Sequence, residues 1–145
     1  MAKGKRTSRR AKSPARVTCS CLVLCDEVVQ THARDKHTLQ GIIGAMVAPS
    51  IQPIAGPFVA YLRLSNVHSD ERVTVALESP SGEKVWEFEA QLLNRNDPLA
   101  VHTLIARIGQ FRLPASGRHM LVASHDGVPV AQSPIEVRII ELGVE

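Results

Sequence analysis

Apolar and polar positions alternate with a period of two along most of the chain after residue 17. Phe58, Ala60, Leu62 and Leu64 alternate with Val59, Tyr61, Arg63 and Ser65. Val73, Val75 and Leu77 alternate with Thr74, Ala76 and Glu78, and Trp86, Phe88, Ala90 and Leu92 with Val85, Glu87, Glu89 and Gln91. Ile135, Val137 and Ile139 follow the same rule. Each run reads as a strand with one face on a core and the other largely toward water. Turn residues separate the runs. Ser79-Pro80-Ser81-Gly82 joins strands near 72–79 and 84–93, and Asp126-Gly127 joins 118–125 to 128–140 as a tight hairpin. Asn94 to Pro98 and Pro114 to Gly117 mark two further breaks.

Two earlier strands are expected over 18–31 and 37–47, around a polar turn at 33–36. The first is apolar on both faces through Leu22–Leu24 and is expected to lie centrally. Residues 48–57 carry Pro49, Pro53 and Pro57 and read as an irregular crossing between sheets. The segment 99–108 fits a helical period loosely. Its β-branched residues and its all-strand surroundings favour a strand, expected over 99–113. The expectation is therefore all-β: an immunoglobulin-like, two-sheet antiparallel sandwich of about seven to nine strands over 17–145.

The charge pattern divides the chain. Residues 1–16 hold seven basic residues (Lys3, Lys5, Arg6, Arg9, Arg10, Lys12 and Arg16) and no acid. Residues 17–145 hold 10 basic and 14 acidic residues, a balance of −4, so the net charge of +3 belongs to the tail. The tail has nothing to bury and is expected to be disordered. The mildly acidic body offers no broad surface to nucleic acid. Aromatic residues are only 3 % of the chain, so the core must be built from Val, Leu, Ile and Ala.

The segment Leu24-Cys25-Asp26-Glu27-Val28-Val29, then Lys36-His37-Thr38-Leu39-Gln40-Gly41-Ile42, resembles the start of a family of small bacterial proteins of unknown function. Phe111-x-Leu113-Pro114-x-x-Gly117 and the following strand, Asp-Gly turn and closing strand are similar too. The resemblance covers about residues 18–140. It implies an immunoglobulin-like sandwich and no activity. His119 stands where many such domains carry an aromatic residue, which departs from a corner of the tyrosine type.

Candidate chemistry is sparse. Cys19, Cys21 and Cys25 form an odd, tight cluster that is not a disulfide framework. On an extended strand all three point to one face, where His32, His37 or His119 would be a fourth ligand for a metal. Packing as small apolar residues is the favoured reading, with no metal and no cofactor. Cys25 beside one of those histidines is also the only nucleophile arrangement, and no strained elbow or oxyanion hole accompanies it. Asp26 lies in an apolar strand and is expected to bond the turn near Gly41 or to pair with Lys36 or Arg34. Gly41 itself reads as a bulge or a close backbone approach. Asp26, Gly41, Trp86, Gly117 and Gly127 are all taken as structural. His68-Ser69-Asp70-Glu71 reads as a solvated polar turn.

No apolar run is long enough to cross a membrane and the N-terminus lacks the features of a signal peptide, so a cytoplasmic protein with reduced thiols is expected. The leading expectation of function is a non-catalytic binding or structural module whose partner is another protein or a second copy. Tyr61, Arg63, Arg107 and Arg112 are the outward residues that would anchor it. Weak, sequence-blind nucleic-acid association through the tail is the alternative. A thiol- or metal-dependent enzyme is the third.

Overall fold

The structure, a computed structural model, describes residues 16–31 and 36–141. The strands are β1 (Thr18–Gln30), β2 (His37–Ile42), β3 (Ala45–Pro49), β4 (Ile54–Ala55), β5 (Phe58–Ser65), β6 (Glu71–Glu78), β7 (Lys84–Leu92), β8 (His102–Ile108), β9 (Phe111–Arg112), β10 (Gly117–His125) and β11 (Val128–Ile140). Among the described residues nine strands exceed two residues, and no helix forms. One sheet runs β2-β1-β5-β8, a second runs β3-β11-β10-β6-β7, and β4 with β9 makes a short ribbon.

The two larger sheets enclose one aliphatic core. Leu24, Leu62, Leu64, Val73, Val75, Leu77, Leu121 and Ile135 are almost wholly buried in it. They are the residues on one parity of each alternating run, which is why the sequence separates two faces of each strand. Trp86 and Phe88 stack at 6.3 Å, and Phe111 meets both Trp86 and Phe58 edge-on at 6.2 and 6.0 Å. Val17, 3 % exposed, already belongs to this core.

Several turns form as expected. Asp126 and Gly127 both have positive φ (53° and 77°) between paired His125 and Val128, the two-residue hairpin that matches strand twist. Ser79 N–H donates to the Glu83 carbonyl at 2.8 Å and closes the 79–83 turn. At Gly117 a Cβ would lie 2.9 Å from the Pro80 ring, so its place is set by that close approach.

Three expectations need correction. The span 37–47 is not one strand: β2 pairs with β1, and β3 pairs with β11 in the other sheet. The chain changes sheets at 43–44, where Ile43 N–H donates to the Leu24 carbonyl and the Gly44 carbonyl accepts from Glu136. The sandwich is not antiparallel throughout, because the β3–β11 pair is parallel. A chain that leaves one sheet and continues in the same direction meets the other sheet's last strand running its own way. Finally, 99–113 holds β8 and the separate β9 rather than one strand, interrupted at Gly109 and Gln110. Residues 50–57 do cross between sheets, with a cis Gly56–Pro57 bond.

Candidate binding face and side-chain clusters

The outer face of β2-β1-β5-β8 is unlike an ordinary solvated sheet face. Cys25, Val28, Val59 and Tyr61 are buried there, and Cys21, Val23, Leu39 and Ile105 pack around them. The half-buried Arg63 and exposed Arg107 follow in the same alternation on β5 and β8. The outer face of the other sheet is more polar, with Ala76 and Val122 as its buried apolar residues. There the paired strands β6 and β7 bring together Arg72, Thr74, Glu87 and Glu89, with an Arg72–Glu89 ion pair at 3.6 Å.

A bulge decides which cysteines join this face. The register of β1 on β5 slips between Cys19 and Cys21: Cys19 opposes Leu64, and Cys21 opposes Arg63. One extra residue reverses the alternation. Cys19 consequently packs on the sandwich core, while Cys21 and Cys25 lie on the outer face. The expectation that all three cysteines share a face is therefore overturned. They are free thiols. Burial pushes the Cys19 and Cys25 thiols up, outweighing the lowering effect of the Cys21 and Glu27 backbone, and each Sγ donates to the carbonyl two residues on, at 3.2 and 3.6 Å. Raised thiols are poor nucleophiles and poor ligands at neutral pH.

His37 closes one side of the face. Its Nδ1 is 3.1 Å from the Tyr61 hydroxyl, its ring meets Tyr61 edge-on, and its Nε2 is 3.2 Å from Gln30 Nε2. Those contacts account for both ring nitrogens. The shallow cavity beside it, about 270 Å³, is lined by Gln30, His37, Arg95, Val101, Thr103 and Ile105. His119 lies elsewhere, fully buried on β10 with Nδ1 3.3 Å from the Gly117 carbonyl. His32 and Arg34 fall outside the described residues, as do Lys3, Lys5, Arg6, Arg9, Arg10 and Lys12. Arg16 is described: it is exposed, and its carbonyl accepts from Asn66 Nδ2 at 2.7 Å. Arg112 sits on β9, away from the apolar face.

Asp26 is exposed rather than buried in its strand, which removes the need for a compensating charge. Its side chain lies across Gly41, whose φ is 68°. A Cβ on Gly41 would come within 2.7 Å of Asp26 Cγ, so Gly41 marks a close approach, as its sequence position suggests.

One cluster escaped the sequence reading. β6 and β10 pair antiparallel, which brings Glu71 at the start of one to His125 at the end of the other. His125 is 3 % exposed, and its Nε2 lies 2.8 Å from Glu71 Oε1 and 3.5 Å from Asp126 Oδ2. Val17 N–H donates to His125 Nδ1 at 3.4 Å. With Nδ1 accepting, the proton of a neutral ring sits on Nε2 and is donated to Glu71. Glu71 is held below the usual carboxylate range, first by the Ser69 hydroxyl and then by His125. Among the described residues this is the one trio of close potential metal ligands. A metal on Nε2 would force the proton to Nδ1, against the Val17 N–H, so the trio suits a latch better than a metal centre. Catalysis by Ser69 is disfavoured too, because its hydroxyl bonds the carboxylate and the imidazole lies beyond it. Glu71 is thus not part of a merely solvated turn. The only sequence signal was a buried-parity histidine directly before the Asp-Gly turn.

These features define a β-sandwich of the immunoglobulin-like kind with an apolar outer sheet face and no assembled catalytic group among the described residues. The chain belongs to the family of unknown function DUF6941, whose model matches residues 20–138. No curated protein matches it. Two solved structures are similar at low identity. An immunoglobulin-like protein from Pseudomonas aeruginosa is 16 % identical over 86 % of this chain and 98 % of its own, with a TM-score of 0.39. An alkylpurine DNA glycosylase from Pseudomonas fluorescens, bound to DNA containing an abasic-site analogue, is 13 % identical over 91 % of this chain, with a TM-score of 0.47. This chain spans 33 % of that glycosylase chain. No helix among the described residues is long and apolar enough to cross a membrane.

Proposed function

We propose that the protein is a non-catalytic binding module that engages another protein through the outer face of β2-β1-β5-β8. One observation carries this reading: that face is built from Cys21, Val23, Cys25, Leu39, Val59, Tyr61 and Ile105, while the outer face of the opposite sheet is more polar. Over the buried Cys25, Val59 and Tyr61, the half-buried Cys21, Val23, Leu39 and Ile105 present the apolar surface that a partner would cover. Tyr61, buried and held by His37, stiffens the middle of the face, and exposed Arg107 sets a positive charge at its margin that suits an acidic partner surface. The three free thiols fit a reducing, cytoplasmic setting.

Val23→Lys tests the reading, because it places a charge in the middle of the face without opening the core. Wild-type protein should retain from cell extract a partner that the folded variant loses. Equal retention by both would refute the reading. A second reading rests on the segregation of seven basic residues in 1–16 from an acidic body. It predicts salt-sensitive binding of random-sequence DNA or RNA that vanishes when residues 1–16 are deleted.

A further inference from the structure

Residues 93–101 carry the chain from β7, at the edge of one sheet, to β8, at the edge of the other. Polar side chains pin this loop. Asn94 N–H donates to Asp70 Oδ1 at 2.8 Å, Asn96 N–H to Asn94 Oδ1 at 2.9 Å and Leu99 N–H to Asp97 Oδ1 at 3.0 Å. The loop so built presents Arg95 beside the start of β8.

Two cavities meet at Arg95. One, of about 230 Å³, is lined by Gln91, Arg95, His102, Thr103 and three leucines. The other is the shallow cavity of about 270 Å³ beside His37, which shares Arg95 and Thr103. No described acid lines either cavity, although acids outnumber bases by 14 to 10 over residues 17–145. Arg95 is exposed and makes no ion pair among the described residues. Asp70 and Asp97, the acids that shape its loop, accept from backbone N–H groups instead.

Two orphaned polar atoms belong to the same wall. His102 is 5 % exposed, and neither its Nε2 nor the Thr103 hydroxyl has a hydrogen-bond partner among the described residues. Buried polar atoms are almost always partnered, and an unpartnered one destabilises until a ligand supplies the missing bond. Trp86 Nε1 and His119 Nε2 are unpartnered too, but neither residue lines these cavities.

We infer that Arg95, His102 and Thr103 form a binding site for a small oxyanion, a phosphate or a carboxylate. The guanidinium offers a planar fork of N–H donors that matches such a group, and the hydroxyl and the imidazole add one donor each. Both cavities are smaller than the roughly 300 Å³ at which sites for drug-sized ligands begin, so the ligand is the anionic group on a short body. The inference goes beyond the partner-binding reading and does not depend on it.

Nuclear magnetic resonance of the histidine rings in the full chain tests it, with inorganic phosphate and acetate each titrated at constant ionic strength against chloride. The His102 signals should shift saturably with one or both anions. Burial first, and then the charge of Arg95, make His102 hard to protonate; a bound anion offsets the second effect, so the ring should take up its proton at higher pH when the site is filled. Saturation by phosphate alone assigns the site to phosphate groups, and by acetate alone to carboxylates; either supports it. Arg95→Gln, shown to be folded by circular dichroism, should weaken binding roughly ten-fold or more, as for loss of a hydrogen bond between charged groups. Arg118→Gln, which removes an equal charge from the other sheet, should leave binding unchanged. A His102 ring that responds to neither anion more than to chloride would overturn the inference, as would equal affinity of the wild-type and Arg95→Gln proteins.

Discussion

Replacing Gly41 by alanine isolates the close approach of β2 to Asp26. The backbone there has φ of 68°, a region that costs an L-residue about 1–2 kcal/mol. The new Cβ would also overlap the Asp26 side chain, which lies within 2.7 Å at Cγ. Asp26 is exposed and free to rotate away, so this second penalty should be limited to about 1 kcal/mol, the cost of an unfavourable rotamer. Gly41→Ala should therefore lose about 2–3 kcal/mol. Asp26→Ala alone should change stability by less than about 0.5 kcal/mol, as for other surface positions. Combined with Gly41→Ala it should recover most of the overlap penalty, leaving about 1–2 kcal/mol from the backbone and a residual 3.0 Å approach of the two Cβ atoms. Urea unfolding of the four proteins, with m unchanged, gives the cycle. A neutral Gly41→Ala, or a double mutant no better than the single one, would refute the account of this position.

Other outcomes follow from the buried polar groups and the thiols. His125→Leu strands the Val17 N–H and the Glu71 carboxylate and should cost about 1–3 kcal/mol in thermal or urea unfolding. Glu71 is held low in the folded state, so its contribution is present above the ordinary carboxylate range and is lost as pH falls through its folded value; Glu71→Gln should flatten the acid limb of a stability-against-pH curve. His102 is also pushed down, first by burial and then by the charge of Arg95, so its folded form takes up a proton less readily than the unfolded one. Stability should fall as pH drops below about 6.5, the ordinary histidine value, and His102→Asn should remove that part of the slope. Iodoacetamide should label half-buried Cys21 faster than buried Cys25 in the native protein; equal rates would contradict the placement of the two thiols.

The strands that alternate cleanly were legible because their two faces meet different surroundings. Leu62 and Leu64, or Val73, Val75 and Leu77, read directly as core. The turns were legible where a residue type is demanded by backbone shape, as at Asp126-Gly127. The bulge at Cys19–Cys21 was not, because nothing in Thr-Cys-Ser-Cys-Leu distinguishes a strand that slips by one residue from one that does not. That slip decides which cysteines share a face, so the candidate thiol cluster dissolved with it. The same limit hid the apolar outer face: Val59 and Tyr61 were read as water-facing because their parity opposes Ala60 and Leu62. The His125–Glu71 pair joins residues 54 apart in sequence and depends on the β6–β10 register, which the alternation pattern leaves open.

Cys21 is a natural reporter on the proposed binding face, half-buried and paired with Arg63 next to the bulge. Its alkylation rate in concentrated extract of the source cells, compared with that of the purified protein, reports whether a partner covers this face. Cys21 should be protected in extract, and Val23→Lys should abolish this protection. An identical Cys21 rate in extract and in purified protein would contradict it.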